Sequence, residues 1–268
     1  MKKYYITQIY FTENDERNDE LKRVIEFHKT SEFDKVYYLN EKIYGYDCDK
    51  IQEINIGKRL SFNDVFDFVK SEELDGAIFF GNSDIYFNST INNVLDVIAK
   101  IPIMYCQLRA EHKTDGTIKI DINSPLYKHG WSQDVWIYHS KFNNILHNKN
   151  IFDIELGTPG CDNKIIYLFK ILGFNCYNEP EIIKSYHFHK IMTRNYDQNT
   201  TRPNYPYYAI FPVLKHDYID NCRNKFNYLS FDINEENKKI YDYILTNINN
   251  NKKREGDNQS KESRRKIN

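Results

Sequence analysis

Residues Gly76-Ala77-Ile78-Phe79-Phe80 form an unbroken apolar run that stops abruptly at Gly81-Asn82-Ser83-Asp84. A run without alternation suits a strand covered on both faces, as the strands of parallel sheets layered between helices are. A carboxylate at the end of such a strand is costly to bury unless something compensates it. In open α/β sheets, however, the carboxyl ends of the strands are where ligands sit. This one stretch therefore predicts both a fold class and a place to look for chemistry.

The rest of the chain agrees with that class. Tyr4–Phe11 reads as a strand, Thr12–Asp19 as a loop, and Leu21, Val24, Ile25 and His28 recur at helical spacing. Lys35–Leu39 and Ile51–Ile56 are further short strands. Ser61 can cap a helix with Phe62, Val65, Phe66 and Val69 on its apolar face, and Asp64 stands three residues after the cap. Beyond the central run, a helix is expected from about Ser89, strands over Pro102–Leu108 and Asp134–Tyr138, a helix over Cys161–Leu172, and a strand over Ile182–His189. The alternation predicts a three-layer α/β sandwich with a mostly parallel central sheet flanked by helices. Residues 1–248 are expected to form one domain.

Charge and composition narrow the function classes. Formal charge is −1, but residues 249–268 hold seven Lys/Arg against three Asp/Glu, which makes that tail +4 and leaves −5 on the body. An acidic body is not the footprint of a nucleic-acid binder. The tail is polar and aperiodic, the composition of a disordered basic segment. The short apolar start is broken by Thr12-Glu13-Asn14-Asp15, and no run approaches the roughly 18 apolar residues of a membrane span. A cytoplasmic protein is expected. Cysteines 48, 106, 161, 176 and 222 never fall in a CxxC spacing, which indicates reduced thiols rather than a disulfide framework or a zinc cluster.

Four segments carry candidate chemistry. Asn82, Ser83 and Asp84 form the strand-end cluster; by itself Asp84 is as well suited to a turn or cap as to a ligand. Gly157-Thr158-Pro159-Gly160-Cys161-Asp162-Asn163 turns into an apolar helix, so Asp162 lies at a helix N-terminus, as an ordinary cap or as a held carboxylate. Ser185-Tyr186-His187-Phe188-His189 alternates, which puts His187 and His189 on one face of a strand. Trp131-Ser132-Gln133-Asp134-Val135-Trp136 suits either a sugar-stacking wall with a carboxylate or a set of core aromatics.

In this order, the segments NSDIYF, SQDVWIY, PGCDN and IKSYHFH resemble the GT-A glycosyltransferases, in particular glycosyltransferase-like proteins of large DNA viruses and bacteria, over about Tyr4 to Tyr196. The string from Ala77 to Phe87 is similar to that family's DxD region, with Asn82 where the first acid usually lies. The resemblance implies a nucleoside-diphosphate-sugar donor, Mn²⁺ or Mg²⁺ held by Asp84 with His187 or His189, and a glycan or other hydroxyl acceptor. For an inverting reaction it implies Asp162 as the catalytic base, with Asp134 also in the catalytic centre; whether the reaction inverts or retains stays open. It places the nucleotide near the first two strands, where Gln8, Thr12, Arg17, Asn40 and Arg59 are candidate neighbours together with Asn82 and Ser83. Two other readings stand beside it. A nucleotidyltransferase would share the sheet but should carry a glycine-rich basic loop after the first strand, where this chain has Tyr10-Phe11-Thr12-Glu13-Asn14-Asp15. A catalytically inactive binding module would account for Asn82 in place of an acid.

Overall fold

The computed structural model describes residues 1–113, 116–120, 132–188, 203–204, 206–210 and 212. The expected basic tail, Trp131, Cys222 and His189 lie outside the described residues. Strands β1 (Lys3–Thr7), β2 (Lys35–Asn40), β3 (Ile51–Asn55), β4 (Ala77–Gly81), β6 (Ile103–Gln107), β9 (Val135–His139) and β10 (Asn175–Tyr177) form a seven-stranded sheet ordered β10-β6-β9-β4-β1-β2-β3. Every pairing in it is parallel except those of β9 with β4 and with β6. A second sheet, β5-β11-β7-β8, is built from β5 (Ile85–Phe87), β7 (Ala110–His112), β8 (Ile118–Lys119) and β11 (Ser185–Phe188).

Helices cover both faces of the large sheet, as the apolar β4 run requires. Tyr4, Ile6, Ile78, Phe80, Trp136 and Tyr138 face α2 (Phe62–Ser71) and α4 (Cys161–Ile171), where Phe66, Ile165 and Phe169 are fully buried. Tyr5, Ala77, Phe79, Val135 and Ile137 face the other way, toward Ile25 of α1 (Asp15–Lys29) and toward Ile91, Val94 and Ile98. Ser61 caps α2 in a reciprocal capping box with Asp64, as its spacing predicts. The helix expected from Ser89 begins instead as a 3₁₀ segment, Ser89–Val94, capped by Asn88, and only α3 (Leu95–Ile98) is α-helical.

One alternative is decided and one expectation corrected. Of the two readings of Trp136 the core aromatic holds: it is fully buried, stacked on Phe80 with ring centroids 5.5 Å apart and edge-on to Phe62 at 4.7 Å. The strand expected over Ile182–His189 is shorter in the described part. Ile182 and Ile183 close a turn on the Glu179 carbonyl, and pairing runs from Ser185 to Phe188.

The antiparallel insertion of β9 positions the site. Because β9 runs against β4, its first residues meet the last residues of β4, and Asp134 comes to lie beside Asn82. The Asn82 amide donates to the Asp134 carbonyl at 3.0 Å. Gly81 permits this approach, since an added Cβ would collide with that carbonyl.

Candidate active site

The turn that carries Asp84 is gripped from below by buried side chains of β1, β2 and α1. Thr7 Oγ1 donates to the Gly81 carbonyl at 2.8 Å, and Tyr5 OH to the Asn82 carbonyl at 3.1 Å. His28 Nε2 lies 2.8 Å from the Ile85 carbonyl, and its Nδ1 lies 2.8 Å from Tyr38 OH. A carbonyl accepts only, so Nε2 carries the proton and Nδ1 accepts from the tyrosine. Burial pushes the His28 imidazole down to about 4, against the opposing pull of the Ile85 carbonyl, so it stays neutral.

Above this clamp, Asp84 enters a chain of alternating charge. Arg17, from the buried stripe of α1, donates through Nη2 to Asp84 Oδ2 at 2.7 Å and through Nη1 to Glu20 at 2.9 Å. His187 Nε2 meets the same Asp84 oxygen at 3.1 Å, and His187 Nδ1 meets Glu111 Oε2 at 2.9 Å. The other Glu111 oxygen accepts from Arg109 Nε at 3.0 Å. Arg109 Nη1 continues to Asp134 and to Ser132 Oγ, the latter at 2.6 Å. Asp134 Oδ1 accepts from the Asn82 side-chain amide at 2.7 Å, which returns the chain to the strand end where it began.

The electrostatics follow from these pairings. Burial alone would raise the Asp84 carboxyl, but His187 and then Arg17 outweigh it and hold the group well below its ordinary value. Burial works against the His187 imidazolium too, yet Asp84 and Glu111 carry it up to about 9. Glu111 falls to about 2, where His187 and Arg109 overcome its own burial.

Asp162 is the opposite case. It is not the cap of α4, a position held by Gly160 in a left-handed conformation; it occupies the first turn. Its carboxylate accepts from the backbone amides of Asn163 at 2.9 Å and Gln133 at 3.4 Å. Burial dominates, the Asp134 charge adds to it, and those amide bonds do not offset them, so the group is pushed up to about 7. Gln133 directly precedes Asp134, so the Asp162 carboxylate adjoins the charged chain.

The sequence-chosen residues thus divide. Asn82, Asp84, Asp134, Arg17 and His187 share one bonded network, Asp162 adjoins it, and Ser83 is buried in the turn between two of its members. Gln8, Thr12 and Asn40 serve local structure. Gln8 bonds the Leu39 and Lys58 carbonyls and the Leu60 amide, the Thr12 hydroxyl accepts from the Asn14 amide, and Asn40 links Ile9 to Glu53. Arg59 reaches the Leu156 carbonyl at 3.0 Å. A Cβ added to Gly157 would lie 3.3 Å from Asn82 Oδ1 and 3.5 Å from Arg59 Nη2, so these three meet at the lip of the site. Arg109, Glu111 and Glu20 escaped the sequence reading.

Among the described residues no three His, Cys, Asp or Glu side chains are grouped to hold a metal ion; Asp84 and His187 form a pair 3.1 Å apart. No helix among them is long and apolar enough to cross a membrane. No protein-family model and no curated protein matches the sequence. Solved structures do match in fold. GalNAc-T7 with UDP, GalNAc and Mn²⁺ aligns over 71% of this chain and 44% of its own, at 7% identity and a TM-score of 0.50. Staphylococcus aureus TarS 1–349 in complex with UDP-GlcNAc aligns over 72% and 60%, at 11% identity and a TM-score of 0.43. HddC from Yersinia pseudotuberculosis aligns over 70% and 93%, at 10% identity and a TM-score of 0.43. The chain therefore spans about half the length of the first two. At these identities the likeness concerns architecture alone, and the architecture is GT-A-like: a large, mostly parallel sheet between helical layers.

Proposed function

We propose that this chain is a nucleotide-sugar-dependent glycosyltransferase that uses a divalent cation and passes a sugar to a glycan or other hydroxyl acceptor. The observation that carries the reading is the pairing of Asp84 Oδ2 with His187 Nε2, 3.1 Å apart at the carboxyl end of β4. One carboxylate oxygen and one imidazole nitrogen are few ligands for Mn²⁺ or Mg²⁺. They suit such an ion when substrate phosphate oxygens and water complete its shell. Asp84 and His187 would hold the ion, His187 Nε2 releasing its proton to solvent as the ion takes its place, and the ion would neutralise charge on the departing diphosphate.

The chain's own residues account for the other parts of the reaction. Arg17 keeps Asp84 ionised in a buried place, and the clamp of Thr7, Tyr5 and His28 keeps its backbone still. Asp134, bridged between Arg109 and Asn82, presents a fixed carboxylate beside the same turn for the hydroxyls of the donor sugar. Asp162, held by two backbone amides and tuned to about 7, takes the proton of the acceptor hydroxyl as its oxygen bonds to the anomeric carbon. The nucleoside diphosphate leaves with the electrons of the broken carbon–oxygen bond.

The test is thermal denaturation of the whole chain with Mn²⁺ and a panel of UDP-, GDP- and dTDP-sugars. A stabilisation of about 2.7 kcal/mol is expected for a donor present at 100 times its dissociation constant. Asp84→Ala should abolish that response. No shift with any donor, together with identical behaviour of Asp84→Ala, would sink the proposal. A binding module without turnover would show the shift but no release of nucleoside diphosphate.

A further inference from the structure

The Glu111 side chain lies outside every motif of the sequence, yet it faces His187 across the second sheet. Strands β7 and β11 pair in parallel with Glu111 directly in register with His187. Glu111 Oε2 stands 2.9 Å from His187 Nδ1, while its other oxygen holds Arg109 at 3.0 Å. The carboxylate is held on both sides, by His187 of β11 and by Arg109 just before β7. An imidazole whose Nδ1–H is spent on a carboxylate turns its Nε2 outward in one orientation, and here Nε2 faces Asp84. Histidines that ligate metals are commonly oriented through their second nitrogen in this way.

We propose that Glu111 is the positioning residue that aims His187 at the cation, and that Arg109 in turn fixes Glu111 by anchoring it to Asp134. The inference rests on the reading of Asp84 and His187 as the cation pair. It goes further in assigning the strength of cation binding to a residue that touches neither cation nor substrate. Arg109 joins both halves of the site: its Nε braces the carboxylate behind His187, and its Nη1 braces Asp134. A cation ligand and the proposed sugar-facing carboxylate therefore share one guanidinium as their common support.

The experiment measures Mn²⁺ binding to the whole chain, first alone and then with UDP to supply phosphate oxygens and against a UDP-only control, by the electron paramagnetic resonance signal of the free ion. Pulsed measurements of the bound ion read its coupling to imidazole nitrogen. Removing such an orienting carboxylate typically weakens metal binding about 10–100-fold. That loss is expected for Glu111→Ala, with a reduced nitrogen coupling. Glu111→Gln, which keeps an oxygen to accept from Nδ1–H, should recover most of the affinity. If the alanine variant does not fold, Glu111→Asp serves in its place. It keeps the negative charge near Arg109 but draws the oxygen back from Nδ1, and should weaken binding in the same direction. Binding within twofold of wild type in Glu111→Ala or Glu111→Asp, with unchanged nitrogen coupling, overturns the inference while leaving the cation pair in place. Wild-type protein that binds no Mn²⁺ either alone or with UDP present overturns both.

Discussion

Asp84 is a buried aspartate and Asp162 a half-buried one, both at the carboxyl edge of one sheet, and their surroundings drive them apart. Asp84 has an imidazolium and a guanidinium on one oxygen and stays charged. Asp162 has backbone amides and a neighbouring carboxylate, and its proton leaves near neutrality. A pair of acids separated in this way is the usual means by which one site keeps a permanent charge and a proton acceptor side by side. The difference arises from tertiary placement: Asp84 is reached by α1 and β11, whereas α4 brings Asp162 an N-terminus and, among the described residues, no side-chain cation.

The largest effect should follow from breaking the Asp162 side. Asp162→Asn is expected to lower kcat about 10²–10⁴-fold. Wild-type kcat should rise with pH through about 7, because the ionised form is the proton acceptor, and the variant should lose that limb. Stability should move the other way. A carboxyl raised above its unfolded value stabilises the fold while protonated, and that contribution is lost as pH climbs from about 4, the unfolded-state value, through about 7. The wild type should therefore lose stability over that window relative to Asp162→Asn in urea titrations. A variant with full activity, or equal pH dependence of stability in the two proteins, would remove Asp162 from the role of proton acceptor.

How the two aspartates came to be legible differs as well. The β4 run announced its strand, its burial and the polar cluster at its end, because an unalternating apolar segment has few other places to go. The class of fold followed from the same pattern. The direction of β9 did not, since Val135–His139 is buried on both faces and reads the same whichever way it pairs. Without that direction nothing places Asp134 on Asn82. Arg17 and Glu20 lay within view, in line with the stripe Leu21, Val24 and His28; a charge on an otherwise apolar helical face asks for a buried partner. Arg109 and Glu111 are spaced to share one side of an extended segment. In a polar stretch that spacing alone does not tell a solvated pair from a network.

The next effect sharpens the paired side. Asn82 stands where the resembled family has an acid, and its side-chain amide donates to Asp134 at 2.7 Å. Asn82→Asp would set two carboxylates in that space and remove the donor. One of them would be forced to hold a proton, so stability should fall by about 1–3 kcal/mol at pH 7 and recover as the medium is made acidic. Urea titrations at neutral and acid pH check this. An Asn82→Asp protein as stable as wild type, with tighter Mn²⁺ binding, would mean that residue 82 turns to the cation and not to Asp134.

The smallest effect concerns the clamp beneath Asp84. His28 is held neutral, with a folded-state value of about 4. A depressed base contributes stability that is present above its unfolded value, about 6.5, and is lost as pH falls toward about 4. Glutamine can keep a nitrogen near the Nε2 position to donate to the Ile85 carbonyl, and it has no proton to gain. His28→Gln should therefore cost about 1 kcal/mol or less at pH 7, and at pH 5, where the wild type has lost about 1–2 kcal/mol, the variant should be as stable as wild type or more stable. His28→Leu lacks that donor, so the Ile85 carbonyl it would leave buried should cost about 1–3 kcal/mol at pH 7, a deficit that shrinks at pH 5 by the same amount because leucine has no proton to gain either. If the turn is held mainly by Thr7 and Tyr5, the donor-sugar KM of both variants will match wild type. A KM that rises in His28→Leu and not in His28→Gln ties the placement of Asp84 to a single hydrogen bond made from the far side of the sheet.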